Sequence, residues 1–161
     1  MSLDETKNIR AIFIIEVAGR PPEHLTETLE KIIEKIKEEK GVKVKEQKIN
    51  NPAPMKDQEK FYTNFAEVEL ELEDSLKLLF MIFRYMPAHV EIVYPENIKL
   101  TNNGFSVVLN ELVRRLHGYD EIAKVIQVEK NILEKKLRAV LEEKKQKNTN
   151  PHSDLHKGNK T

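Results

Sequence analysis

The chain has 161 residues, 39% of them apolar and 34% charged, with no cysteine and with 27 acidic side chains matching 27 basic ones. That length suits one domain with chain to spare, and the lack of cysteine excludes disulfides, thiolate metal sites and a cysteine nucleophile. No apolar run exceeds Leu78 to Phe83, far short of the ~20 residues a membrane helix needs. The polar start Met1 to Lys7 has none of the marks of a signal peptide, so a cytoplasmic protein without a membrane segment is expected.

The zero net charge hides an asymmetry. Residues 1–113 hold 15 Lys and Arg against 20 Asp and Glu, whereas residues 114–161 hold 12 against 7. The 22 Glu to 5 Asp and 21 Lys to 6 Arg also give the composition a thermophile-like cast.

Residues 1–8 read as an N-terminal arm. Ile9 to Val17 is short, β-branched and nearly continuously apolar, the pattern of a central strand covered on both sides. Gly19-Arg20-Pro21-Pro22 turns the chain into a helix, because proline is well placed in a first helical turn. Leu25, Leu29, Ile32, Ile33 and Ile36 form its apolar stripe, and Gly41 stops it after about Lys40. Val42 to Ile49 follows as an edge strand, marked by Lys43, Lys45 and Glu46.

Asn50 to Pro54 breaks that strand, and a polar loop runs to about Lys60. Phe61 to Glu73 then alternates strictly, with Ala66, Val68, Leu70 and Leu72 on one face and Glu67, Glu69, Glu71 and Glu73 on the other. Asp74 or Ser75 caps a second helix reaching Met86, where Pro87 forbids continuation. That helix is apolar nearly all round and so needs cover beyond a sheet. His89 to Tyr94 is a fourth strand, and Ile98 to Leu100 a short extended piece. The order over residues 9–100 is the βαββαβ pattern of a ferredoxin-like α+β sandwich.

From residue 105 to 147 a single helix is expected. Steps of four and three give Phe105, Leu109, Leu112, Leu116, Tyr119, Ala123, Ile126, Lys130, Leu133, Leu137 and Val140, a strict heptad repeat with one polar member. A repeat of this period marks a coiled-coil seam. At ~1.5 Å per residue the helix is ~60 Å long, so its distal half should project beyond a domain of this size. The first half is the natural cover for the over-apolar second helix. The second half, with Tyr119, Ile126, Leu133, Leu137 and Val140, is expected to form the seam of a homodimer. A break at Gly118-Tyr119-Asp120 is the alternative. Residues 148–161 are too polar to order themselves and read as a disordered tail.

Chemistry-bearing constellations are thin. His89 and Glu91 share a strand face without a second histidine at ligand spacing, and His117 marks the possible helix bend. Glu67, Glu69 and Glu71 form a flat carboxylate row, whereas hard cations want ligands converging from several directions. No phosphate loop, dinucleotide fingerprint or nucleophile elbow is present. A non-enzymatic protein without a cofactor is therefore expected, with Glu67, Glu69, Glu71 and Glu91 as the face offered to a protein partner.

Two resemblances extend this reading. Ile12 to Val17 is similar to the shorter strand motif of RNA-recognition domains, which implies single-stranded RNA on the sheet. Lys60 to Glu67 departs from the longer motif by lacking its glycine and running into glutamates, which oppose phosphate. Nucleic acid, as on a ribosome-associated factor, is then left to the basic helix through Arg114, Arg115, Lys135, Lys136 and Arg138. The Gly19 to Leu25 turn resembles the Asp-x-Pro-Gly turn of ACT domains, which implies a small-molecule-sensing module; here the glycine is replaced.

Overall fold

A computed structural model of the chain describes residues 5–56 and 60–149. The elements run β1 (Ile9–Gly19), α1 (Pro22–Lys37), β2 (Val42–Ile49), β3 (Ala53–Pro54), β4 (Tyr62–Leu72), α2 (Ser75–Tyr85), β5 (His89–Tyr94) and α3 (Asn102–Thr149). The fold is α+β, an antiparallel five-stranded sheet with helices that include a long C-terminal one. The strands lie in the order β2-β4-β1-β5, and β3 pairs with β4.

Alternation decides which face of the sheet is buried. Ile9, Ala11, Phe13 and Ile15 of β1 and Ala66, Val68, Leu70 and Leu72 of β4 all point to one side and are buried. The register sets Phe13 opposite Val68 and Ile9 opposite Leu72, so the two central strands build one apolar floor. On that floor α1 lays Leu25, Leu29, Ile33 and Ile36, and α2 adds Leu78 and Met81. Each large side chain taken out of water contributes about 1.5–3 kcal/mol. Asn64 is the buried polar exception; its amide donates to Thr26 Oγ1 at 3.3 Å, tying β4 to α1, and its carbonyl accepts from the Phe65 N–H at 2.8 Å.

Only one face of β1 is covered, contrary to the expectation of burial on both sides. Ile12 and Ile14 are half-buried on the open face, where neighbouring side chains shield them. The segment 98–100 is no strand. Its backbone instead holds the N-terminal arm, with the Thr6 N–H donating to Lys99 O at 2.9 Å and the Lys99 N–H to Thr6 Oγ1 at 2.7 Å. Ala53–Pro54, read as part of a break, forms the short strand β3, which its proline tolerates because the strand lies off the main sheet order.

Helix ends follow their caps. Asp74 Oδ1 accepts from the Lys77 N–H at 2.8 Å and starts α2, and Met86 ends it in the left-handed region at φ 45°. α1 stops at Lys37, before Gly41 is reached. α3 begins at Asn102, three residues ahead of Phe105, because Thr101 Oγ1 accepts from the Gly104 N–H at 2.9 Å. The Thr101 hydroxyl in turn donates to the Glu5 carboxylate. α3 is one helix through Gly118 to Thr149, so the break at residues 118–120 does not occur. Residues 150–161 of the expected tail lie outside the described residues, and 148 and 149 are helical.

The first turns of α3 cover less than expected. Val108 and Leu112 are half-buried, whereas Phe105, Leu109 and Val113 stay exposed. The chain divides into two units, residues 1–113 with the sheet and 114–161 with the distal helix.

Candidate interaction surfaces

The open face of the sheet carries the predicted carboxylate row. Glu67, Glu69 and Glu71 of β4 lie opposite Ile14, Ile12 and Arg10 of β1. On the far side of β1, Glu91 is also opposite Ile12 and His89 opposite Ile14. Ile12 is thus flanked by a carboxylate on both neighbouring strands, and Ile14 by Glu67 on one side and His89 on the other.

The row is not a bare acidic field, because each of its β4 glutamates has a cation set against it. Lys43 and Lys45 reach Glu71 at 3.6 and 3.3 Å. Together they hold the Glu71 carboxyl below its usual range, chiefly through the hydrogen bond from Lys45. Arg10 Nη1 lies 3.3 Å from Glu69 Oε1 and its guanidinium sits 5.3 Å from the centre of the Tyr94 ring. Lys48 is opposite Glu67. The face is therefore a mosaic of alternating charge.

Two bulges build this mosaic. In β2 the register shifts between Val44 and Glu46, so the extra residue Lys45 joins Lys43 beside Glu71, while Glu46 and Lys48 come opposite Glu69 and Glu67. The same shift turns Ile49 toward the core, where it is partly buried. In β5 the register shifts where Arg10 pairs with Tyr94 and Ala11 with Ile92, which leaves Val93 over and brings Tyr94 beside Arg10. The sequence reading missed Arg10, Lys43, Lys45 and Tyr94 as members of this surface. The lysine spacing in β2 was the available signal for two of them.

The other surface is distal α3. Ile126, Leu133, Leu137 and Val140 are 58%, 65%, 59% and 50% exposed, and Tyr119 is 45% exposed. At about 3.6 residues per turn these five fall on one side of the helix. Ile122 and Leu141 flank the stripe, whereas Val125, Val128 and Ile132 lie off it. Pairs within the helix hold the polar side chains: Lys124 with Asp120 at 2.6 Å, Lys130 with Glu134 at 3.8 Å, and Gln127 with Asn131 at 3.1 Å. Lys130, the polar member of the stripe, thus leans out toward a flanking glutamate.

The five basic residues considered for nucleic acid do not form one track. On the same helical geometry Arg115 lies on the apolar side, Lys135 opposite it, and Arg114, Lys136 and Arg138 between. Backbone phosphates follow a continuous path, so a scattered set is a poor match. The turn considered for a small ligand has Arg20 stacked over Phe61 at 5.4 Å from the ring centre, and Pro22 already opens α1.

Among the described residues no cluster of three histidine or carboxylate side chains is placed to hold a metal ion. No described helix is long and apolar enough to cross a membrane. No curated protein and no solved structure matches the chain. A family pattern does match, over residues 10–136, which takes in all of the sheet but Ile9 and α3 as far as Lys136; the chain belongs to the MJ0538 family.

Proposed function

We propose that this protein is a non-enzymatic, cytoplasmic assembly factor: a ferredoxin-like domain that self-associates as a homodimer through a coiled coil of distal α3 and offers its open sheet face to a protein partner. The ferredoxin-like reading rests on the order β2-β4-β1-β5 with a helix after β1 and another after β4. The self-association reading is carried by one observation. Four aliphatic side chains at heptad spacing, Ile126, Leu133, Leu137 and Val140, are each at least half exposed on a single helix. Leaving them in water forgoes about 1.5–3 kcal/mol apiece, which a second copy recovers.

The mosaic of paired charges on the sheet face suits a partner with an interdigitating pattern of both signs, and Ile12 and Ile14 supply the apolar centre. Such a face selects its partner by charge register more than by net attraction.

Light scattering on the intact chain tests the assembly reading. Two-chain mass is expected, and one-chain mass for a Leu133→Asp, Leu137→Asp variant that keeps its far-ultraviolet circular dichroism. A one-chain mass for the unaltered protein at tens of micromolar refutes it.

A further inference from the structure

We infer that the two helices pair antiparallel, in the register that sets Lys130 against the partner's Leu133. This rests on the self-association proposed above and adds its direction and alignment. In heptad terms Leu116, Ala123, Lys130, Leu137 and Lys144 occupy a, and Tyr119, Ile126, Leu133 and Val140 occupy d.

A parallel, in-register pair brings each a residue onto its own copy. Lys130 then meets Lys130 and Lys144 meets Lys144, two layers of like charge inside the seam. The flanking Glu129 falls beside the partner's Glu134, again of like sign. The favourable flanking contact in that arrangement is Arg115 with the partner's Asp120, near the end of the seam.

An antiparallel pair sets a against d and removes both lysine layers. The register decides the rest. With Lys130 opposite the partner's Leu133, Ile126 meets Leu137, Ala123 meets Val140, and Lys144 lies against the Tyr119 ring, where its stem packs and its ammonium reaches water. Glu129 comes beside the partner's Lys136, and symmetry makes that contact twice. Lys130 keeps its own Glu134, 3.8 Å away.

Neighbouring registers lose this match. Setting Lys130 opposite Ile126 gains Arg115 beside Glu143 but brings Glu129 to Glu129 and, twice, Asp120 to Glu134. Setting it opposite Val140 brings Lys136 to Lys136, Glu134 to Glu134 and Glu129 to Glu143. Like charges across a seam cost stability and exclude the wrong alignment. The favoured register is centred between residues 131 and 132, which is also the middle of the helical stretch 114–149, so it gives the longest overlap that distal α3 allows.

A sequence without cysteine takes a single spin label cleanly. Glu121→Cys and Glu142→Cys sit on the outer side of the helix, and the favoured register puts residue 121 level with the partner's 142. Pulsed dipolar spectroscopy on either labelled variant alone should find the two labels ~32 Å apart along the axis. A mixture of the two should add a short distance set only by the width of the helix pair. Short distances in each variant alone mean parallel pairing and overturn the inference. A mixed-pair distance offset by a further ~10 Å along the axis means a neighbouring register and overturns it as well. A one-chain mass by light scattering refutes self-association itself, so the two failures are told apart.

Discussion

The Tyr85 hydroxyl donates to Glu39 Oε1 at 2.9 Å, joining the last turn of α2 to the segment that follows α1. Arg84 Nε reaches the same oxygen at 2.9 Å. Burial, and then the hydrogen bond to Glu39, push the Tyr85 phenol up to about 12. An unfolded tyrosine titrates near 10. The native state therefore holds this proton where the unfolded chain has released it, and the contribution to stability, intact below pH ~10, is lost as pH rises through about 12. In an absorbance titration of the phenols Tyr85 should ionise late, and Tyr85→Phe should remove that late step and cost about 1 kcal/mol. A titration unchanged by the substitution would contradict the assignment.

On the open sheet face, Lys45→Gln should let the Glu71 carboxyl rise toward its ordinary range without reaching it, because Lys43 still stands 3.6 Å away. A lowered carboxyl pKa lends stability that is present above the unfolded value and disappears as pH falls through the folded one. The variant should accordingly lose its native charge pairing at higher pH on acidification. Carboxyl carbon resonances followed against pH give the midpoint directly; an unmoved midpoint would show that Lys45 is not the main cause.

Lys130→Leu should tighten self-association, since a charged group in an apolar seam is kept at a cost in stability. The gain should be about 2 kcal/mol per copy. It should appear as a melting temperature that rises with protein concentration and exceeds that of the unaltered chain. The same substitution removes one of the two lysine layers that penalise parallel pairing, so the preference for antiparallel pairing should weaken while the Lys144 layer keeps it from vanishing. Sedimentation equilibrium measures the first effect, and unchanged association would remove Lys130 from the seam.

Gly118 sits inside α3, and apart from its chain neighbours and its own helix backbone nothing lies within 4 Å of where a Cβ would be. Gly118→Ala should therefore stabilise the helix by roughly 0.5–1 kcal/mol, through the lower backbone entropy of alanine. Thermal unfolding followed at 222 nm reads the change. A loss of helix instead would mean that the glycine is needed for a local geometry.

Much of this structure is legible in single segments. The strict alternation of residues 66 to 73 fixes the buried and open faces of β4, and the Leu25 to Ile36 stripe places α1, because both depend on local period alone. The surface chemistry is less accessible, since it depends on alignment between distant strands. Arg10 and Glu69 are 59 positions apart, and nothing near either residue announces the other. The bulges at Lys45 and Val93 shift faces by one residue, which a regular alternation cannot foresee. The same reason hides where the N-terminal arm docks, since its Thr6 finds its partner at Lys99. The heptad of α3 is the converse case: a periodic signal plain in the sequence whose second half the structure leaves exposed.

The bulge in β2 has a consequence for crowding. A protein that gathers copies of itself along a helix raises the local concentration of every exposed sheet rim, and a flat rim is a template for runaway stacking. The β2 rim breaks register at Lys45 and carries the charged side chains Lys43, Lys45, Glu46 and Lys48, so it is a poor template for flush pairing. The proposed association through the helix would thereby be kept apart from stacking through that edge of the sheet.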